Sequence, residues 1–210
     1  MIKFSIIMPS YLGDYSGAAK QREYKIIRAI ESVVTQSWTN WELIIVADGC
    51  QKTIDVVMEH CLKFEYPYDI RLLKVKKQTR WSGIRNVGLD AATGDYVVYL
   101  DIDDMFAAEY LTEIAEEVKD GMDWYFTDDY QFFGNGFQRN NTNIKRIGQC
   151  GTSNIIHKVG MNSRWLRSDY TEDWQFIRQL KAESKKCRRI NACGYYICHL
   201  PNITGKGYDL

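Results

Sequence analysis

The chain has 210 residues, 45% hydrophobic and 26% charged, the balance of an ordinary globular protein with ample material for one sizeable core. Lysine plus arginine and aspartate plus glutamate each number 27, so no net field points to nucleic acid or to an anionic membrane. The six cysteines form no Cys-x-x-Cys pair; neither a zinc site nor a redox pair is suggested, and reduced thiols fit a cytoplasmic location. No apolar run approaches the roughly 18 residues of a membrane span. The opening Met-Ile-Lys-Phe-Ser leads straight into a strand rather than a signal peptide.

Phe4–Met8 is a short apolar run stopped by Pro9-Ser10-Tyr11, which predicts a first buried strand. Ile26, Ile27, Ile30, Val33 and Val34 recur at helical spacing and predict a helix from Arg22 to about Ser37. Glu42–Ala47 is a second strand closing on Asp48-Gly49. Ile54, Val57, Met58, Cys61 and Leu62 give a second amphipathic helix, and Ile70–Val75 a third strand. A helix opening near Ser82 has Ile84, Val87 and Leu89 to bury. Thr93-Gly94 then turns into Tyr96–Leu100, a β-branched and aromatic run suited to a strand buried on both faces. Leu111, Ile114, Ala115 and Val118 mark one more helix. This β-α alternation with short connections predicts a parallel sheet covered by helices on both faces.

After Gly121 the character changes. Trp124–Phe133 reads as one aromatic strand, Gly134-Asn135-Gly136 as a hairpin turn, and Phe137–Gly151 as a polar stretch without assignment. Ser153–Val159 reads as a strand, Glu172–Lys185 as a helix and Ile190–Cys198 as a last strand. No repeat or low-complexity linker divides the chain, so a single domain over 1–210 is expected.

The feature that organises the rest is the end of the fourth strand. Asp101, Asp103 and Asp104 crowd three carboxylates into four residues. In an open α/β sheet, ligands gather beyond the carboxyl ends of the strands. Acids so close repel one another unless a cation sits among them, and a hard divalent cation with oxygen ligands usually arrives with substrate phosphates. The plainer alternative is an acid pair, Asp103 and Asp104, favouring the dipole of the helix that follows.

Several stretches then occur in an order that resembles the inverting glycosyltransferases of family 2. Ser5-Ile6-Ile7-Met8-Pro9-Ser10-Tyr11 is similar to that family's opening strand, and Glu31-Ser32-Val33-Val34-Thr35-Gln36-Ser37 to its first helix. Glu42–Gly49 resembles the second strand, usually closed by Asp-Asp-Gly-Ser; here Ala47 replaces the first Asp and Cys50 the Ser. Ser82-Gly83-Ile84-Arg85-Asn86-Val87-Gly88-Leu89 with Ala92-Thr93-Gly94-Asp95-Tyr96 is close to its S-x-x-R-N-x-G-L…A-x-G-(D/E)-Y segment, and Asp101–Asp104 to its D-x-D-D. The resemblance implies the GT-A fold, a Rossmann-like α/β architecture with a mostly parallel central sheet flanked by helices and a small mixed α+β C-terminal part. It further implies a nucleotide-binding half over 1–105 and an acceptor-side half over 106–210.

What the resemblance implies about chemistry is metal-dependent, inverting transfer from a nucleotide sugar, with a UDP-sugar expected, to a hydroxyl of a glycan or other acceptor, in the setting of polysaccharide biosynthesis. Pro9, Ser10, Tyr11 and Asp48 would hold the nucleoside, with Tyr11 stacking on the base. Asp101 and Asp103 would hold Mn²⁺ or Mg²⁺, with Asp101 also facing the ribose, and His199 would complete the metal or phosphate site. Asp104 either assists or caps the next helix. Arg80 is the expected pyrophosphate partner, whereas Arg85, within a helix, reads as a surface residue in an ion pair. Asp173 would be the general base and Glu172 a positioning residue beside it. Asp128-Asp129 and Ser153-Asn154 carry weaker expectations of contact with donor and acceptor. The alternatives are a sugar-1-phosphate nucleotidyltransferase, disfavoured because Pro9–Asp14 is no Gly-rich triphosphate loop, and an inactive nucleotide- or glycan-binding relative, kept open by Ala47. A dinucleotide oxidoreductase is disfavoured by the lack of G-x-G-x-x-G after Phe4–Met8.

Overall fold

The computed structural model describes residues 1–15, 21–64, 69–77, 81–133, 135–166 and 171–198. The first half alternates: β1 (Phe4–Ser10), α1 (Arg22–Val34), β2 (Trp41–Asp48), α2 (Gln51–Phe64), β3 (Asp69–Val75), α3 (Trp81–Ala91) and β4 (Tyr96–Tyr99), then β5 (Met105–Phe106) and α4 (Tyr110–Glu117). The second half adds β6 (Trp124–Phe126), β7 (Asp129–Phe132), β8 (Phe137–Asn140), β9 (Ile155–Lys158), α5 (Glu172–Glu183), β10 (Cys187–Arg189) and β11 (Tyr195–Ile197).

Among the described residues, seven strands form one sheet in the order β10-β6-β9-β4-β1-β2-β3. β4, β1, β2 and β3 run parallel, as the alternation predicts, while β9 runs antiparallel to both β4 and β6. Period-two alternation sorts the strand side chains to two faces. Ile6, Met8, Leu43, Ile45, Val98 and Leu100 join one core with Ile26, Ala29, Ile30 and Val33 of α1 and Leu111 and Ile114 of α4. Ile7, Val97 and Tyr99 face the other way, against Phe176, Ile177 and Leu180 of α5, while Ile44 and Val46 meet Ile84 of α3. Each such side chain contributes about 1.5–3 kcal/mol on burial, so β1, β2 and β4 are held from both sides. Gly88 sets how closely α3 lies on β1: a Cβ there would stand 2.5 Å from Ile7 Cγ2. That approach draws Arg85, one turn earlier, down onto the sheet.

Two predicted strands differ from those found, one divided between two sheets and the other shortened. Trp124–Phe133 is β6 in the large sheet followed by β7 in a second sheet, β5-β11-β7-β8, and Ile190–Cys198 overlaps only β11, with β10 lying before it in the large sheet. The first break falls at Thr127-Asp128. Asp128 is fully buried there, accepting hydrogen bonds from Arg139 Nε (2.8 Å), the Thr142 N–H (2.9 Å) and the Arg189 guanidinium. A buried carboxylate needs such partners, and they come from distant parts of the chain that local pattern does not reveal. The stretch before β9 is a 3₁₀ turn, Thr152–Asn154, rather than strand.

Glu42, fully buried in β2, fastens the sheet's amino end. Its Oε1 accepts from Ser5 Oγ (2.7 Å), the Thr93 N–H (2.6 Å) and Thr93 Oγ1 (2.9 Å), and its Oε2 from Arg71 Nη1 (3.0 Å). Burial pushes this carboxyl up, but the hydrogen bonds from Ser5, Thr93 and Arg71 together outweigh it and leave the pKa below the usual value. A carboxyl depressed on folding adds stability that is present above its unfolded pKa and lost as pH falls through the folded one. Glu42→Gln is therefore expected to cost about 1.5–3 kcal/mol at neutral pH and to flatten the acid limb of the stability curve. Urea titrations repeated at decreasing pH check this; an acid limb as steep as wild type would contradict it.

Candidate active site

The acidic turn lies just past the carboxyl edge of β4. Leu100 N–H still bonds Ile7 C=O (3.0 Å), and Asp104 N–H closes the turn on Asp101 C=O (3.1 Å). The carboxylates then divide. Asp104 is buried, accepting from the Tyr195 hydroxyl (2.8 Å) and the Cys198 N–H (2.6 Å), while the same hydroxyl accepts from the Asp101 N–H (3.1 Å). Burial, then the charges of Asp103 and Asp101, push the Asp104 pKa well up. Asp104 thus neither faces the cavity nor caps α4: it ties the turn to β11. From behind, buried Lys25 of α1 donates to Cys198 C=O (3.3 Å), and Arg28 Nη2 to Asp103 C=O (2.6 Å).

In front of the turn lies a cavity of about 290 Å³, lined by Pro9, Tyr15, Arg22, Arg85, Asp101 and Asp103 among others. Arg22 of α1 is fixed by Tyr11 C=O (3.0 Å) and Gly13 C=O (2.9 Å) and lies 4.9 Å from the Tyr15 ring. Arg85 corrects the expectation of a surface residue. It is only 8% exposed, donates from Nη2 to Asp101 Oδ1 (3.0 Å) and lies 5.0 Å from the Trp165 ring. Its buried Nε has no hydrogen-bond partner among the described residues, a donor that a bound anion or water would satisfy. The S-x-x-R-N motif was the signal available for it; helical position alone hid it.

Asp173 stands in the first turn of α5 with Glu172, where the helix dipole favours negative charge. The Thr152 hydroxyl donates to its Oδ1 (2.8 Å). Burial raises its pKa, the nearby Arg85 cation and Thr152 lower it, and the balance leaves it above an ordinary aspartate. The site thus sets two acids near one guanidinium, Asp101 paired with it directly and Asp173 close enough to feel its charge.

At the other end, buried Asp48 accepts from Lys77 Nζ (2.8 Å), which also lies 3.1 Å from the centroid of the Tyr11 ring. Sequence reasoning passed over Lys77, and no local signal marks it. Ser10 points inward and shares a hydrogen bond with Thr53 (3.2 Å), so it shapes the loop rather than lining the cavity. Asp129 is likewise internal, taking hydrogen bonds from Ser153 (2.8 Å) and Asn154 (2.9 Å). Arg80 and His199 lie outside the described residues.

Among the described residues no three His, Cys, Asp or Glu side chains form a metal shell. The donor set still fits Mg²⁺ or Mn²⁺, since such ions are often held by one or two carboxylates together with substrate phosphates. Asp103 and Asp101 line the cavity, and Arg22 and Arg85 bring positive charge to its walls.

A mostly parallel sheet with an acidic turn at its carboxyl edge and a second acid pair opening a helix is the layout of a GT-A glycosyltransferase. The chain belongs to glycosyl transferase family 2, whose family model matches residues 5–184. It is 34% identical over 107 residues to an Escherichia coli protein, UDP-Glc:alpha-D-GlcNAc-diphosphoundecaprenol beta-1,3-glucosyltransferase WfgD, a match covering 51% of this chain and 37% of that one. Other curated relatives are covered over as little as 13% of their length, so the chain spans well under two thirds of these proteins. Among solved structures, S. aureus TarS 1–349 in complex with UDP-GlcNAc superposes with a TM-score of 0.72 at 20% identity, over 93% of this chain and 58% of that one. The mannosyltransferase PcManGT from Pyrobaculum calidifontis, in complex with GDP-Man and Mn²⁺, gives 0.65 at 13% identity, over 98% and 58%. At these identities the superpositions establish the GT-A fold. Among the described residues no helix is long and apolar enough to cross a membrane.

The electrostatics make a prediction independent of substrate. Removing a cation favours the neutral form of a nearby acid, so Arg85→Met should raise the Asp173 pKa further. Carboxyl ¹³C titration by NMR is expected to find Asp173 above the ordinary aspartate value in wild type and higher still in the variant. A value unmoved or lowered by the substitution would show that Arg85 and Asp173 do not interact.

Proposed function

We propose that this chain catalyses divalent-cation-dependent, inverting transfer of a glycosyl group from a uridine diphosphate sugar to a hydroxyl of a glycan or other acceptor. The observation that carries the reading is buried Arg85 between Asp101, which it binds at 3.0 Å, and Asp173, whose pKa it lowers. A donor diphosphate at the acidic turn and an acceptor at the start of α5 would then meet over a single guanidinium. The UDP-GlcNAc bound to TarS and the UDP-Glc named for the E. coli relative support the nucleotide, and the Mn²⁺ with PcManGT supports the cation. A cytoplasmic setting belongs to the same proposal, supported by six free thiols.

In this reading Pro9, Tyr11 and Asp48 hold the nucleoside. Asp103 and Asp101 would hold the cation, which when bound neutralises charge developing on the leaving diphosphate as a Lewis acid. Arg22 and Arg85 add fixed positive charge on the same wall, and a guanidinium remains protonated throughout the working pH range. Glu172 orients the acceptor or the donor sugar. Asp173 takes the proton from the acceptor hydroxyl as that oxygen attacks the anomeric carbon, from the face opposite the diphosphate. The anomeric carbon–oxygen bond then breaks, and its electron pair leaves on the diphosphate. The raised pKa makes Asp173 a stronger base than an ordinary aspartate, provided it comes within about 3 Å of that hydroxyl.

The test separates chemistry from binding. Asp173→Asn keeps size and polarity and is expected to lower kcat about 10²–10⁴-fold while the Kd for UDP stays within a few-fold of wild type. Transfer at the wild-type rate by this variant would remove Asp173 from the role of base. For wild type, kcat/KM should fall as the pH drops through the raised Asp173 pKa, because protonation removes the base; a rate that rises with acidity would contradict it.

A further inference from the structure

The zero net charge of the chain conceals a segregation. Residues 139–189 hold twelve Lys and Arg against four Asp and Glu, whereas residues 1–138 hold fourteen against 22. Several basic side chains of 139–189 meet acids of the earlier part: Arg139 pairs with Asp128, Lys158 with Asp123, Arg164 with Asp90 and Arg188 with Glu117. Among the described residues, those on the outer side of α5 and on the loop beside it have no such partner. We propose that this face, formed by Arg178, Lys181 and Lys185 with Lys145, Arg146 and Ile147, docks the protein on an anionic lipid surface. The inference goes beyond the proposed reaction and does not depend on it.

Helical spacing builds the first half of the face. Phe176, Ile177 and Leu180 of α5 are buried, while Trp174, Arg178 and Lys181, spaced by four and three residues, share another side of the helix. Lys185 continues that line just past the helix, its Nζ donating to Lys181 C=O (2.7 Å). The second half is a tight loop. Asn143 N–H bonds Gln149 C=O (2.7 Å), Arg146 N–H bonds Asn143 C=O (3.2 Å) and Gly148 takes φ +74°, which puts Lys145, Arg146 and Ile147 at the tip. Lys181 joins the halves: its Nζ donates to Ile144 C=O and lies 5.5 Å from the Trp174 ring. Burial is the main cause of the lowered Lys181 pKa, and the charges of Lys145 and Lys185 lower it further. Like charges gathered in this way repel, and an anionic partner relieves the repulsion.

The apolar member decides which anion. Ile147 is 61% exposed on a hydrogen-bonded tip, directly after two cations. A soluble polyanion would leave that side chain in water. A bilayer offers its headgroups to the cations and its acyl boundary to Ile147. Trp174, half-buried beside the Lys181 ammonium, has the amphipathic character that favours the headgroup level. Charges are screened beyond about 8 Å at physiological salt, so a local patch acts although the whole chain is neutral. The line starts one residue after Asp173, so docking would set the start of α5 beside the lipid.

Sedimentation with sucrose-loaded vesicles reads the partitioning of the 210-residue chain without nucleotide or metal. Phosphatidylcholine vesicles would be compared with vesicles in which phosphatidylglycerol is about a third of the lipid. Wild type is expected to bind the anionic vesicles about 100-fold more tightly than the neutral ones and to be released by salt. Each basic residue at such a surface strengthens partitioning about five-fold, so Lys145→Gln/Arg178→Gln should weaken it about 25-fold. Lys74→Gln/Lys119→Gln, an equal charge loss elsewhere, should change it less than about two-fold. Ile147→Ser should weaken vesicle binding about ten-fold and leave binding to heparin, a polyanion without an apolar phase, unchanged. All the substituted side chains are exposed, so the variants are expected to fold as wild type does. No binding of wild type to anionic vesicles, or equal weakening by the two double variants, would overturn the proposal. Vesicle binding indifferent to Ile147→Ser would overturn the lipid assignment and make the face a site for a soluble polyanion.

Discussion

A buried guanidinium is the constraint on which the site depends. Arg85 can lie 8% exposed because Asp101 pairs with it at 3.0 Å and Asp173 stands near enough for its charge to act on it, since an unpaired buried charge costs several kcal/mol. The carboxylates in turn can converge only because the guanidinium is there. Its setting is rigid: Asn86, the next residue, clasps the Trp165 backbone by two hydrogen bonds of 2.9 Å, and the Trp165 ring lies parallel to Phe176 at 4.2 Å. Tyr99 of β4 accepts from the Trp165 indole (3.0 Å) and shares a hydrogen bond with His157 (2.8 Å). Phe176 is one helical turn beyond Asp173. The position of the proposed base is therefore coupled, through two stacked rings, to the helix that carries Arg85 and to the strand that ends in the acidic turn.

The acidic turn solves a second electrostatic problem by division of labour. Three carboxylates together would repel, and the chain takes one out of the site. Asp104 is held inside the protein by Tyr195 and Cys198, and there burial and the charges of Asp103 and Asp101 favour its neutral form against the pull of those two hydrogen bonds. Lys25 and Arg28 place positive charge behind the turn, and Arg85 places it in front. Asp101 and Asp103 are left on the cavity wall. This is the arrangement expected where a cation and a diphosphate are to share the space with acids.

Much of this was legible in the sequence because it rests on local period and spacing. The buried strands, the helices between them and the turn at Asp101–Asp104 follow from patterns of a few residues. What could not be read depends on contacts between distant segments. The break of the aromatic run at Asp128 is made by Arg139, Thr142 and Arg189. Arg85 looks like a surface residue until Gly88 lets α3 sit low on β1, and the left-handed turn at Gly49 brings Lys77 beside Asp48. In each case a glycine or a buried carboxylate brings together groups that the linear pattern keeps apart.

The measurement that goes most directly to the donor site is calorimetric titration of UDP with and without Mn²⁺, on wild type and on Asp103→Ala. The account predicts binding that requires the divalent cation and is lost or strongly weakened in the variant, with the thermal stability of the protein little changed. Cation-dependent binding of undiminished strength in Asp103→Ala, or no binding of UDP, GDP or dTDP under any condition, would contradict it.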